Sequence, residues 1–137
     1  MLLSSDQRDA DAAFELDGLT LAYMGDAVYE ILVRDYLLRC HRAKPGALHR
    51  MATEMVAAGA QFEAYKRIAP LLNEREQAVF TRGRNSKTSV KKQSNPIVHC
   101  HATGLEALFG YLYLAGEEER LRALFAAVVA PPEEKCT

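Results

Sequence analysis

The chain has 137 residues and a formal net charge of −1, enough length for one domain with a real core and too little positive charge for a uniformly basic nucleic-acid binder. Apolar residues make up 49%, which excludes a disordered chain, and no apolar run approaches the ~20 residues that span a bilayer. The N-terminus lacks the basic start and long apolar stretch of a signal peptide, so a cytoplasmic protein with no membrane partner is expected.

Helical periodicity runs through nearly the whole sequence and strand alternation is absent, which predicts an all-α fold. Residues 1–17 read as a polar, loosely held lead-in, 18–130 as a single domain, and 131–137 as a C-terminal tail. A long helix is predicted from Gly18 to Cys40 with Asp17 as its N-cap. Lys44-Pro45-Gly46 breaks the chain, and Pro45 can open the next helix. Residues 46–69 carry apolar side chains at mostly helical intervals, with Gly59 a candidate divider. Asn73-Glu-Arg-Glu76 has the form of a capping box and opens a helix through about Gly83.

Residues 84–98, rich in Ser, Thr, Asn and Lys, form the only long loop, and loops of that length in a compact domain are often functional. Helices near 102–115 and 117–130 follow, and Pro131-Pro132 stops the last. The three cysteines cannot all pair and show no C-x-x-C spacing, so reduced thiols are expected. His99-Cys100-His101 has no second ligand cluster and reads as ordinary loop and helix-start residues rather than a zinc site.

Two carboxylates stand out because their helices are otherwise so apolar. On the first helix Leu21, Met24, Gly25, Val28, Ile31, Leu32 and Tyr36 cover a broad face, leaving a narrow polar stripe of Tyr23, Asp26, Glu30 and Arg34. Asp26 and Glu30 are like charges four residues apart, a mild strain that a cation relieves, and Arg34 is the plain candidate. Glu106 is the only charged side chain among residues 104–115, with apolar residues on every side of the wheel. A buried carboxylate must be paired, metal-bound or neutral. The competing structural readings are a Thr103-x-x-Glu106 capping box and an Asp26–arginine pair.

Between the two acids, Gln77 to Leu105 contains no acidic residue and carries Arg82, Arg84, Lys87, Lys91 and Lys92. Paired acids beside a basic, acid-free segment point to a metal site next to a polyanion-binding surface. Arg82 and Arg84 have an alternative role, capping the carbonyls that end their own helix.

These residues carry a family resemblance. Gly25-Asp-Ala-Val28 resembles the core of the ribonuclease III signature, and Leu105-Glu-Ala-Leu-Phe-Gly-Tyr-Leu-Tyr-Leu114 resembles that family's second acidic helix. The match to the short Mini-ribonuclease III branch is closer. It is carried by Leu21-Ala-Tyr-Met-Gly-Asp-Ala-Val-Tyr-Glu30, Lys44-Pro45 with Leu48-His49, Arg82-Gly-Arg-Asn85 and the Glu106 helix. Together these cover roughly residues 17–128. The further acids of the larger enzymes are absent at the matching Leu19, Ala22 and Thr103, as in the short branch.

The resemblance implies a ribonuclease III endonuclease-like, homodimeric helical fold. It implies Asp26 and Glu106 as catalytic ligands of Mg²⁺, with Mn²⁺ able to substitute, and attack by metal-activated water on double-stranded RNA. The products would carry 5′-phosphate and 3′-hydroxyl ends. Arg82, Arg84, Asn85, Lys87, Lys91 and Lys92 are the implied RNA contacts. The short branch further implies maturation of a precursor 23S ribosomal RNA stem, with a large-subunit ribosomal protein as a possible accessory partner. Two other readings stand beside it: a non-catalytic double-stranded-RNA-binding relative, and a helical interaction or DNA-binding module that uses the basic loop.

Overall fold

A computed structural model describes residues 9–86 and 95–129. Helix α1 spans Ala10–Phe14, α2 Gly18–Cys40, α3 Pro45–Val56 and α4 Ala58–Ile68, followed by a 3₁₀ turn at Ala69–Leu71. Helices α5 (Glu74–Arg84), α6 (Pro96–Leu114) and α7 (Glu118–Val129) complete the described fold. It is all-α, with no strand among the described residues, and no helix is long and apolar enough to cross a membrane.

Local chemistry sets most of the boundaries. Asp17 caps α2, its Oδ1 accepting from the Thr20 backbone N–H at 2.7 Å. Pro45 sits in the first turn of α3, where its missing N–H costs nothing. The segment 46–69 divides at Ala57, whose extended backbone ends α3 and opens α4, rather than at Gly59. Asn73 and Glu76 form the expected capping box, with reciprocal bonds of 2.8 and 3.0 Å. The end of α6 is a Schellman turn: Glu117 N–H donates to Leu112 O at 2.9 Å and Gly116 N–H to Tyr113 O at 3.1 Å. Gly116 supplies the positive φ, 76°, that this turn requires.

Helix α6 is the axis of the molecule. It is buried from Ala102 to Leu105 and from Ala107 to Tyr113, and it packs against α1, α2, α4, α5 and α7. Leu105, Leu108, Phe109 and Leu112 are fully enclosed, each a side chain whose truncation costs roughly 2–5 kcal/mol. The helix expected near 102–115 therefore begins earlier, at Pro96, with Asn95 as its cap. His99-Cys100-His101 lies within α6 rather than at its start. His101 packs among Phe62, Tyr65 and Phe80 in an aromatic cluster bridging α4, α5 and α6.

Two further expectations are corrected. The described part of the lead-in is firmly held: Ala13 is buried, Phe14 meets Tyr111 edge to face, and Arg82 donates to the carbonyls of Phe14 and Leu16. Cys100 is a free thiol, as expected, whereas Cys40 is disulfide-bonded.

Candidate active site

Helices α2 and α6 cross at two glycines. A methyl group on Gly25 would collide with the Glu106 carbonyl oxygen, and one on Gly110 would collide with the Leu21 carbonyl oxygen. Such backbone-to-backbone approach is available only to residues without a Cβ. Gly25 immediately precedes Asp26, and the backbone it touches is that of Glu106. The crossing thus brings the two acids of the sequence together from positions 80 residues apart in the chain.

The two carboxylates sit in different environments. Asp26 is exposed, at the outer edge of α2, while Glu106 is partly buried between α2 and α4. Burial, then the negative charge of Asp26, then a hydrogen bond with the Asp26 carboxylate push the Glu106 carboxyl up to about 7. One group opposes this. The side-chain amide of Gln61, on α4, lies 3.4 Å from Glu106 Oε2 and favours its charged form. No basic side chain among the described residues lies within ion-pair distance of either acid. Arg34 is instead spent on Glu30, at 2.9 Å, so the arginine-pair reading of Asp26 fails. The capping-box reading of Glu106 fails too, because Thr103 is mid-helix and its hydroxyl donates to His99 O at 3.1 Å.

Two residues that sequence reasoning passed over belong to this site. Gln61 is one, 2% exposed on the inner face of α4 beside Ala64 and Ile68. Its only sequence signal is a polar residue at the helical spacing of those two apolar ones. Tyr29, fully buried on α2, is the other. Burial pushes its hydroxyl far above the ordinary range; the Arg67 charge opposes this and the Glu106 charge adds to it.

The basic segment is only partly in view. Lys87, Lys91 and Lys92 lie outside the described residues. Asn85 is exposed as the C-cap of α5, and Arg84 Nε donates to Asn85 Oδ1 at 3.2 Å. Arg82 turns back into the protein: besides its bonds to Phe14 and Leu16 carbonyls, its guanidinium lies 4.7 Å from the centre of the Phe14 ring. It tethers α1 to α5 instead of capping its own helix. Between Arg82 and Arg84, Gly83 rests on Thr103, Gly104 and Ala107. The described start of the basic segment, at Arg82–Arg84, therefore lies beside the stretch of α6 that carries Glu106.

As a donor set the pair is oxygen-rich and small. No cluster of three or more His, Cys, Asp or Glu side chains forms among the described residues, which disfavours a protein-enclosed zinc site. Two neighbouring carboxylates, one of them partly buried and with no basic side chain of the described residues at ion-pair distance, fit a hard divalent cation that keeps most of its waters.

A family model described as the ribonuclease III domain matches residues 19–117, which contain both acids and Gln61. Mini-ribonuclease 3 of Enterococcus faecalis is 44% identical over 113 residues, covering 80% of this chain and 86% of its own. Mini-ribonuclease 3 of Symbiobacterium thermophilum is 46% identical over 113 residues, covering 82% of this chain and 87% of its own. A crystal structure of a protein from Fusobacterium nucleatum superimposes with a TM-score of 0.76 at 30% identity, covering 84% of this chain and 94% of that one. With the helical fold and the paired acids already in place, these matches make the chain an endoribonuclease of the ribonuclease III family, on its Mini-ribonuclease 3 branch.

Proposed function

We propose that the protein is a Mg²⁺-dependent endoribonuclease that cleaves double-stranded RNA, leaving 5′-phosphate and 3′-hydroxyl ends. The observation that carries this reading is the contact of Asp26 with Glu106 across a glycine crossing, with no basic side chain of the described residues to neutralise them. Asp26 and Glu106 are the residues that would hold the ion, and Mn²⁺ would substitute. When bound, the ion supplies positive charge at the scissile phosphate and makes a water more acidic. Asp26, exposed, faces the substrate side; Glu106, set deeper, is held between Asp26 and the Gln61 amide.

Duplex RNA presents phosphates and 2′-hydroxyls across a shallow minor groove, and it is read mainly by shape and charge. Arg84, Asn85, Lys87, Lys91 and Lys92 supply that contact in this reading, while Arg82 braces the root of their segment. Cutting both strands calls for two sites, hence a two-fold homodimer. The outer face of α2 supports this: Leu19 and Tyr23, about two turns and one turn before Asp26, are exposed, Tyr23 by 82%. The substrate is a stem of precursor 23S ribosomal RNA in the cytoplasm, with a large-subunit ribosomal protein as an accessory partner.

The test is cleavage of a long double-stranded RNA in Mg²⁺ or Mn²⁺ and in EDTA, by the unaltered protein and by Asp26→Asn. Cleavage that needs both the metal and Asp26 is expected. Binding without cleavage by the unaltered protein under every metal condition would leave a non-catalytic RNA-binding relative. Equal affinity for duplex DNA and duplex RNA would favour a general nucleic-acid-binding module.

A further inference from the structure

Gln61 does not belong to α2 or α6, and it reaches the acidic pair from a third helix. It lies on α4 with Ala64 and Ile68, facing α6, and is 2% exposed. Its one hydrogen-bond partner among the described residues is Glu106 Oε2, 45 residues away. At 3.4 Å the bond is long, outside the usual 2.7–3.2 Å range. The amide therefore contributes little to holding the fold. A leucine of similar size would fill the same space, and because the bond is long and Glu106 is only partly buried, the oxygen left without this donor should cost no more than the low end of the range typical of an unsatisfied group.

The carboxylate it addresses has few other fixed partners. From α2, Asp26 repels it, and the enclosed Tyr29 lies near enough to feel the charges of both Glu106 and Arg67 of α4. Without a donor on the α4 side, nothing among these groups holds the Glu106 carboxylate against the charge of Asp26. With one, Oε2 is anchored by the Gln61 amide while the carboxyl still meets the charge of Asp26. Groups that orient a metal-binding side chain in this way typically change metal affinity or activity by 10–100-fold when removed.

We propose that Gln61 is a positioning residue for the acidic pair: its side-chain amide anchors one oxygen of Glu106, so that the two carboxylates are presented together to a divalent cation. The inference rests on the metal reading given above and deepens it. It assigns the α4 face as a working wall of the site rather than as packing alone.

The experiment measures Mn²⁺ binding to the full-length protein without RNA, by the loss of the free-ion electron paramagnetic resonance signal. Thermal melting in EDTA is recorded alongside, and Mg²⁺-dependent cleavage rates follow. Four proteins are compared: the unaltered chain, Asp26→Asn, Gln61→Leu and Gln61→Met. Binding by the unaltered chain that Asp26→Asn abolishes establishes the site itself. Both Gln61 variants are then expected to bind Mn²⁺ at least 10-fold more weakly, with melting within a few degrees of the unaltered chain. Their cleavage rates should recover towards the unaltered value as Mg²⁺ is raised. If either well-folded variant binds Mn²⁺ within two-fold of the unaltered chain, the positioning role is wrong while the metal site stands. If the unaltered chain and Asp26→Asn bind equally, the metal reading fails, and the positioning role with it.

Discussion

Glu76 and Glu106 are both glutamates set into the protein, and they are treated in opposite ways. Glu76 is 1% exposed and completely satisfied. Arg120 grips both of its oxygens, at 2.8 and 2.9 Å, and the Asn73 backbone N–H donates to one of them at 3.0 Å. Arg120 also donates to Leu71 O at 2.6 Å, so the pair locks the start of α5 to α7. Burial pushes the Glu76 carboxyl up, but the Arg120 and Asn73 hydrogen bonds outweigh it and hold it below the ordinary range. Glu106 has a second acid for a neighbour and one long amide bond, and it is pushed up to about 7. One site is built to stabilise a charge and the other to keep one in want of a partner. The second arrangement is unfavourable for the metal-free fold, which is why it marks chemistry rather than architecture.

Exchanging each glutamate for glutamine separates the two roles, and the effect on activity is the largest expected. Glu106→Gln should lower cleavage of double-stranded RNA by more than ~100-fold, beyond the 10–100-fold usual for groups one step removed from a metal. Its melting temperature at pH 8 in EDTA should rise or stay level. Glu76→Gln should do the reverse. Breaking a buried ion pair costs ~3–5 kcal/mol, and because Arg120 keeps 33% of its side-chain surface, ~2–3 kcal/mol is expected here. Its cleavage rate at 25 °C should stay within a few-fold. Urea unfolding and a single-turnover assay on the same preparations decide it. Equal loss of activity from both variants would erase the distinction.

Gly25→Ala attacks the crossing that makes the pair. The new methyl meets backbone atoms of Glu106 and Gly110, which cannot rotate away as a side chain can. Overpacking typically costs ~1–3 kcal/mol, and backbone contacts place this one at the upper end. Cleavage should fall further than the loss of stability explains, because α2 and α6 must separate and carry Asp26 away from Glu106. Gly59→Ala is the control: nothing lies near its added methyl, and it should be neutral or slightly stabilising.

The two glutamates also predict opposite responses to pH in the metal-free protein. Glu106 rises from 4.5 to about 7 on folding, so between those values the folded state holds more protons than the unfolded one. Its contribution is most favourable below about pH 4.5 and is lost as pH rises through 7. Glu76 is lowered on folding, so its contribution is present above its unfolded value and lost as pH falls through the folded one. Melting curves in EDTA from pH 5 to 8 should show a decline for the unaltered chain that Glu106→Gln removes and Glu76→Gln does not. Adding Mg²⁺ should counteract the decline, since binding favours the deprotonated pair.

Much of the fold was legible because its signals are local. Asp17, Pro45 and Asn73 each mark a helix start within a few residues of sequence, and each does so in the structure. Thr103-x-x-Glu106 has the same form as Asn73-x-x-Glu76 yet caps nothing, because Asn95-Pro96 has already opened that helix. A capping pattern is informative only where no earlier start competes. The two acids stood out because each interrupts an apolar helix, and the structure sets them beside each other. Gln61 was not, since an uncharged amide interrupts its face weakly and its partner lies on another helix. Arg82 reads as an RNA contact or a cap of its own helix; its bonds to the Phe14 and Leu16 carbonyls were not legible, because nothing in its own stretch indicates them.

Arg82 and its basic neighbours provide the smallest effect. Each phosphate neutralised on duplex RNA should contribute roughly 0.7–0.9 to the slope of log affinity against log salt. If Lys91 contacts a phosphate, Lys91→Ala should flatten that slope by about one such increment and leave melting unchanged. Arg82→Met should leave the slope nearly unaltered. It should cost ~1–2 kcal/mol of stability, because the Phe14 and Leu16 carbonyls lose a charged donor. The same exchange at Arg84, whose Nε donates to the adjacent Asn85 side chain, should resemble Lys91→Ala. A salt slope that falls equally for Arg82→Met and Lys91→Ala would mean that the guanidinium leaves the N-terminal carbonyls when RNA binds, making the tether itself part of the RNA surface.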